Sequence, residues 1–308
     1  MKKTLFILIL LVLISALCLL AGGRAGTDIL LYIRLPRVLA GLLCGAALGG
    51  AGAVMQGVLR NPLADPYVLG ASSGAALGAV VCVFLGLSYF SPLFYAVCVL
   101  LSFGAVFAAL VLARSGGRTN IVSLILAGVV INIFLSAVVY MFFILRRSDA
   151  YSLIIFMLGS VSEKSYGVLA ACAVLFAAGF IPAVFASRVL DILSLGEIKA
   201  AEIGVKVEKF KILLLLCACF MTAAAVTLAG PVGFVGLIVP HIIRFIFGPK
   251  TKNVLLFSAL GGGILTAGVD AISRALFAPA EFPIGIFMAF IGVPFFIWLL
   301  KKRKDYFF

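Results

Sequence analysis

Three groups of residues have types and spacings that could support chemistry. Gly70-Ala-Ser-Ser-Gly74 fits G-x-S-x-G, a pattern that raises a nucleophilic serine on a strand-to-helix turn and needs a histidine and an acid in support. The single histidine, His241, would have to be that base. The surroundings favour packing instead. The match sits in an apolar run, where Gly70, Gly74 and Gly78 make a small-residue stripe suited to close helix contact. An intramembrane serine protease is therefore the weakest reading. His241 has no second histidine or cysteine cluster with which to form a metal site, so no metal is expected. The seven cysteines all lie in apolar segments, are odd in number and include no CxxC pair. They read as small buried hydrophobes, with no disulfide framework or zinc site. Asp270 and Arg274 stand one helical turn apart; they either neutralise each other at a membrane edge or hold the arginine outward for an acidic partner. Arg34 and Arg37 admit the same two roles, interfacial anchoring or docking. No G-x-x-x-x-G-K-[ST] occurs, so ATP is not bound here through a P-loop, and no cofactor is expected.

Charge is concentrated in one place. Charged residues make up 11% of the 308-residue chain, yet nine of them fall within Arg188–Lys211. Ser194-x-x-Glu197 has the form of a capping box, predicting a short helix over about 195–203, and Gly204 is a suitable stop. Leu195, Ile198 and Ala201 would share one face of that helix. A second short helix is expected from Val205 into the following apolar run. An isolated polar loop would need no such structure, so the stretch reads as a docking handle between membrane spans.

The elements around these residues are set by composition. Hydrophobic residues make up 65% of the chain and its mean hydropathy is +1.30, far above the soluble range. Apolar runs of spanning length recur throughout; the fold class is all-α and polytopic, a single domain of about ten transmembrane helices. A β-barrel would alternate polar and apolar residues. The spans are expected at Thr4–Ala21, Val38–Leu59, Val68–Leu87, Leu93–Ala113, Ile121–Leu145, Gly167–Ala186, Ile212–Leu228, Leu237–Phe247, Val254–Ile272 and Ile284–Leu300. The first has a signal-peptide-like basic start, but its length and the lack of a clean cleavage site favour retention. The net charge of +13 is spread over span ends rather than one soluble face, which argues against nucleic acid. Placing both termini in the cytoplasm puts 17 of the 24 Lys and Arg on that side, as the positive-inside rule requires. The Arg188–Lys211 stretch then lies in the cytoplasm.

Three stretches carry a family resemblance: RLPRVLAGLLCGAALGGAGAVMQGVLRNPLADPYVLGASSGA (34–75), LSLGEIKAAEIGV (193–205), and LAGPVGFVGLIVPHIIR (228–244) continuing to AEFPIGIFMAFIGVPFFIWLLKK (280–302). They resemble the FecCD-type permeases of ABC importers for iron–siderophores, haem and cobalamin. The resemblance implies a homodimer of ten-span subunits, two ABC ATPases on the cytoplasmic side and an extracytoplasmic substrate-binding protein. It implies that hydrolysis belongs to the partner ATPase, so that this chain is not itself catalytic. It assigns ATPase coupling to Leu195, Gly196, Glu197, Ala200, Ile203 and Gly204, with Ser194 as the expected cap. It assigns binding-protein docking to Arg34, Arg37 and Arg274, and a translocation gate to Asn61 and Leu63. An ion-driven secondary transporter is the competing class, and it would need intramembrane acids, for which Asp270 is the candidate.

Overall fold

The protein was analysed as a computed structural model, which describes residues 2–20, 26–87, 91–115, 118–145, 150–162, 164–277 and 282–302. Arg24, Arg146, Arg147 and the basic residues after 302, counted above in the charge balance, lie outside the described residues, as do residues 278–281.

Helices make up nearly all of the described chain. They are α1 (Lys2–Leu20), α2 (Thr27–Ile29), α3 (Leu35–Val58), α4 (Ala71–Phe84), α5 (Pro92–Ala113), α6 (Ile121–Leu145), α7 (Ala150–Met157), α8 (Tyr166–Phe185), α9 (Ser187–Leu193), α10 (Glu197–Glu202), α11 (Val207–Ala229), α12 (Val235–Phe247), α13 (Thr251–Phe277) and α14 (Ile284–Lys302). A two-residue antiparallel pair, β1 (Arg114–Ser115) and β2 (Arg118–Thr119), turns the chain between α5 and α6. Six helices are long and apolar enough to cross a bilayer, and four shorter apolar helices fill the remaining positions in the expected order.

The centre of the bundle is built by small residues on α3. A Cβ on Gly45 or Gly49 would collide with the carbonyls of Gly262 and Ser258 on α13, so the two backbones touch directly. The small residues that recur every four positions along α3, from Gly41 to Gly57, do not keep one partner. Each step of four residues turns the helix about 40° past a full circle. Gly57, four steps from Gly41, therefore faces Leu190 on α9, while Gly41 faces Ala267 on α13. Gly52, outside the stripe, meets Gly236 of α12.

Two of the short helices follow buried turns. The third span starts at Ala71 rather than Val68, because Pro66–Leu69 forms a 3-10 turn. Asp65 caps that turn by accepting the Tyr67 amide at 2.9 Å, and Gly70 at φ 93° redirects the chain. At about 21 Å, α4 is shorter than a bilayer core. The 230–234 turn before α12 is similar. Backbone groups removed from water must be satisfied by protein, and side chains from neighbouring spans do this. Asn132 of α6 donates to the carbonyls of Tyr67 (3.2 Å) and Val68 (3.3 Å). The Tyr67 hydroxyl accepts the Val232 amide at 3.1 Å. Gln56 donates to the Gly236 and Leu237 carbonyls, both at 3.2 Å, and its own carbonyl accepts from Arg244.

The second span also begins earlier than its apolar run suggests. Thr27 to Val58 is one 32-residue helix, with a π-helical turn at Leu30–Arg34. There the Leu35 amide reaches back five residues to the Leu30 carbonyl. The next carbonyl in that register, Leu31, would look to Pro36, which has no N–H to give. The Tyr166 hydroxyl, from the first turn of α8, donates to Leu31 instead.

Candidate functional site

The charged stretch folds as a compact excursion at one end of the bundle. After α9, the chain turns through Ser194 and Leu195 into α10, then through Gly204 into α11. The expected capping box does not form. Ser194 has helical dihedrals and closes the end of α9, where its hydroxyl donates to the Asp191 carbonyl at 2.6 Å. A capping serine must be extended; here Gly196, at φ 112° and ψ 149°, holds the N-cap position. The helix spans Glu197–Glu202, shorter than expected, and stops at Gly204 (φ 90°) with the Gly204 amide on Ala201 and the Val205 amide on Ala200. No separate second helix follows, since α11 runs unbroken from Val207. Of the family-matched residues, Ala200 is fully buried and packs inward, whereas Leu195 and Ile203 are 61% and 64% exposed, as is their neighbour Ile198 at 78%. Three large apolar side chains thus stand in solvent on an otherwise polar excursion.

Glu197, freed from capping, has an electrostatic role. Its carboxylate accepts from Lys211 at 3.0 Å and lies 3.9 Å from Arg60 of the α3–α4 turn. Lys211 is 2% exposed. Its ammonium also reaches the Thr119 carbonyl at 2.8 Å and the Glu208 carboxylate at 3.5 Å. Glu208 in turn accepts the Thr119 amide at 2.8 Å. Sequence reasoning missed Lys211, Glu208, Thr119 and Arg60 as members of one site. The i,i+3 spacing of Glu208 and Lys211 was a readable signal; the partnership with Thr119, 92 residues away in sequence, was not. A groove of about 710 Å³ opens beside this cluster between Arg60, Asn120 and α10.

Two of the three arginines expected at the other end, Arg37 and Arg274, come together around one carboxylate. Asp270 accepts from Arg37 Nη2 at 3.0 Å, with the Arg37 Nε at 3.2 Å from its second oxygen, and from Arg274 Nε at 3.0 Å. The i,i+4 pair proposed from spacing therefore forms, with Arg37 as a third member. Arg34 donates to the Leu19 carbonyl at 3.0 Å, and Arg274 reaches the Cys18 carbonyl at 3.5 Å. Both thus serve the last turn of α1, where carbonyls lack helical partners. Arg34 and Arg37 are buried, at 9% and 7% exposure; Arg274 is the least enclosed of the three.

Asn61 and Leu63 form one turn. The Asn61 side chain accepts the Leu63 amide at 2.9 Å, and the Ala64 amide donates to the Asn61 carbonyl at 3.0 Å. Burial pushes the Asp65 carboxyl up to about 6, against the opposing pull of the Tyr67 amide. A cavity of about 440 Å³ lies behind this turn, bounded by Asp65, Ser72, Asn132 and Ser136. The G-x-S-x-G segment is thus a turn-and-helix start. Ser73 donates to the Asn132 side chain at 2.7 Å, a Cβ on Gly74 or Gly78 would strike α5, and His241 packs edge-on against Phe295. On the far side of the bundle Lys164 bonds the Tyr95 hydroxyl at 3.2 Å and Ser162 at 2.9 Å. Burial lowers its ammonium to about 8.

Comparison with known proteins agrees across the whole chain. The FecCD transport family model matches residues 4–302. An uncharacterized ABC transporter permease protein, YvrB of Bacillus subtilis strain 168, is 38% identical over 92% of this chain and 83% of its own. The hemin transport system permease protein HmuU of Yersinia pestis is 35% identical, covering 89% and 84%. Among solved structures, an ABC transporter described as of metal-chelate type, in an inward-facing conformation, superposes with a TM-score of 0.88 at 30% identity, covering 98% of this chain and 99% of that one. This multi-pass membrane chain belongs to the FecCD transport family.

Proposed function

We propose that this chain is the membrane-spanning permease subunit of an ATP-driven ABC importer. Its cargo is an iron chelate (siderophore or haem) or cobalamin, delivered by an extracytoplasmic substrate-binding protein. The observation that carries the reading is α10. A short helix bracketed by two positive-φ glycines, with the turn that leads into it, leaves Leu195, Ile198 and Ile203 in solvent, and exposed apolar clusters of this kind mark partner surfaces. The partner is an ABC ATPase, which performs the hydrolysis. Two permease copies form a homodimer around the pathway in the cytoplasmic membrane of a prokaryote, with both termini and the 188–211 excursion in the cytoplasm. Arg34, Arg37 and Arg274 lie on the side of the binding protein, and acidic residues on its lobes compete with Asp270 for Arg37 and Arg274. Asn61 and Leu63 border the exit. Closing of the ATPase pair pushes on α10 and tilts the spans, and the cargo leaves past the 61–63 turn. A permease changes state only through such differential contact with its partners.

The test is Ile198→Asp. A charge in the centre of the apolar patch should abolish co-purification of the ATPase and lower ATP-driven uptake at least tenfold, while the permease remains folded in detergent. Full assembly and uptake by the variant would overturn the reading. The ion-coupled alternative gains nothing from the structure. Asp270, the candidate intramembrane acid, is already engaged by two guanidiniums.

A further inference from the structure

We infer that Lys211 is a positioning residue for coupling, the point through which a push on α10 reaches the start of α6. The inference rests on the ATPase-docking reading of α10 and extends it to a route inside this chain.

The route is set by hydrogen-bond arithmetic. An ammonium has three donors and no acceptor. The Lys211 ammonium is buried, and three acceptors from three different elements surround it: Thr119 O at 2.8 Å, Glu197 Oε1 at 3.0 Å and Glu208 Oε2 at 3.5 Å. Glu208 lies on the same helix and could neutralise the charge alone. The second carboxylate comes from α10, which hinges on Gly196 and Gly204, with no atom within 4 Å of the space beside Gly204. A helix hinged at both ends moves as a unit, and the Glu197–Lys211 pair registers that movement because the buried Lys211 ammonium loses an acceptor when Glu197 moves away.

Thr119 carries the movement onward. Its amide donates to Glu208 and its carbonyl accepts from Lys211, so the end of the β1–β2 turn is clamped to the first turns of α11. The next residue, Asn120, caps α6 by accepting the Val122 amide at 2.8 Å and the Ser123 amide at 3.3 Å. The chain of contacts therefore runs Glu197, Lys211, Thr119, Asn120, α6. The covalent connections from α10 lead only into α9 and α11; the Lys211 cluster adds α6 to the helices that α10 can move. Most of the α6 surface lies open, with Val122, Leu126, Val130, Ile133 and Phe134 each at least 60% exposed.

The experiment places a spin label at Val122→Cys, in the first turn of α6, in the permease–ATPase complex held in lipid nanodiscs. The readout is the change in label mobility on adding ATP with vanadate. Lys211→Met should keep ATPase co-purification and hydrolysis near wild type while shifting the nucleotide-driven equilibrium at Val122 about tenfold toward the resting position. Lys211→Arg should restore the change. Glu208→Ala, on which the docking reading makes no demand, should weaken it as well. A wild-type mobility change in Lys211→Met, or in Glu208→Ala if the first variant does not reach the membrane, overturns the inference. Loss of ATPase binding by the parent chain would instead overturn the docking reading on which it rests.

Discussion

At the scale of single residues, the chain uses its few polar side chains to complete backbone that helices leave unsatisfied. Asn132, Gln56 and Tyr67 each hold irregular turns between spans, and the sequence gives no local sign of this, because each partner lies more than 60 residues away. Asp270 was visible from its i,i+4 spacing to Arg274, but its bidentate partner Arg37 comes from 233 positions away. Asp65 yields a titration test. Its folded carboxyl sits near 6, above an ordinary aspartate at about 3.9. The folded state therefore holds this proton where the unfolded chain releases it, and stability falls as pH rises from about 4 to about 6. Asp65→Asn keeps the carbonyl that accepts from Tyr67 and has no charge to bury. It should raise stability at pH 7.5 by about 1–2 kcal/mol and flatten thermal unfolding midpoints between pH 4 and 7. A lower midpoint at pH 7.5 would count against this account of the turn.

At the scale of elements, the apolar runs and their Gly and Pro breaks give the helix order, because both signals are local. The ends are less legible. The S-x-x-E pattern at Ser194 is present, yet Gly196 takes the cap position because only glycine accepts its φ of 112° comfortably. Leu195 and Ile198 of the exposed apolar patch were readable from spacing, whereas Ile203 and the inward packing of Ala200 were not. The α3–α13 contact makes the sharpest packing prediction. Gly49→Ala would drive a methyl group into the Ser258 carbonyl, where backbone rather than a flexible side chain must yield. The expected loss is at least 3 kcal/mol, at the upper end for overpacking, seen as a collapse of the monodisperse permease peak in size-exclusion chromatography. Gly104→Ala, on α5 with open space beside it, should leave that peak unchanged.

At the scale of the whole molecule, one end of the bundle carries the mobile-looking handle and the other a fixed charge lock. The α10 excursion hangs between glycines, while Arg34, Arg37, Asp270 and Arg274 join α1, α3 and α13. The proposed orientation sends the first end into the cytoplasm. Green fluorescent protein fused after residue 302 should fluoresce in cells, and alkaline phosphatase inserted at Ser162 should be active; the reverse pattern would invert the topology. The overall path could be foreseen from hydropathy and charge bias, but the contacts that would make it a machine join residues far apart in sequence, where neither pattern reaches.

The wide turn at Leu30–Arg34 has one more consequence. A turn closed over five residues holds one residue more than a regular helical turn, so it is the structural form of a one-residue insertion. Removing a single residue within 30–34 should restore ordinary winding. Everything from Pro36 onward would stay in place, and Thr27–Ile29 would keep its facing, because the wide turn already absorbs the extra residue. The outermost segment of this span can thus lose one codon without being re-aimed, where the same loss in a regular helix would turn it by about 100°.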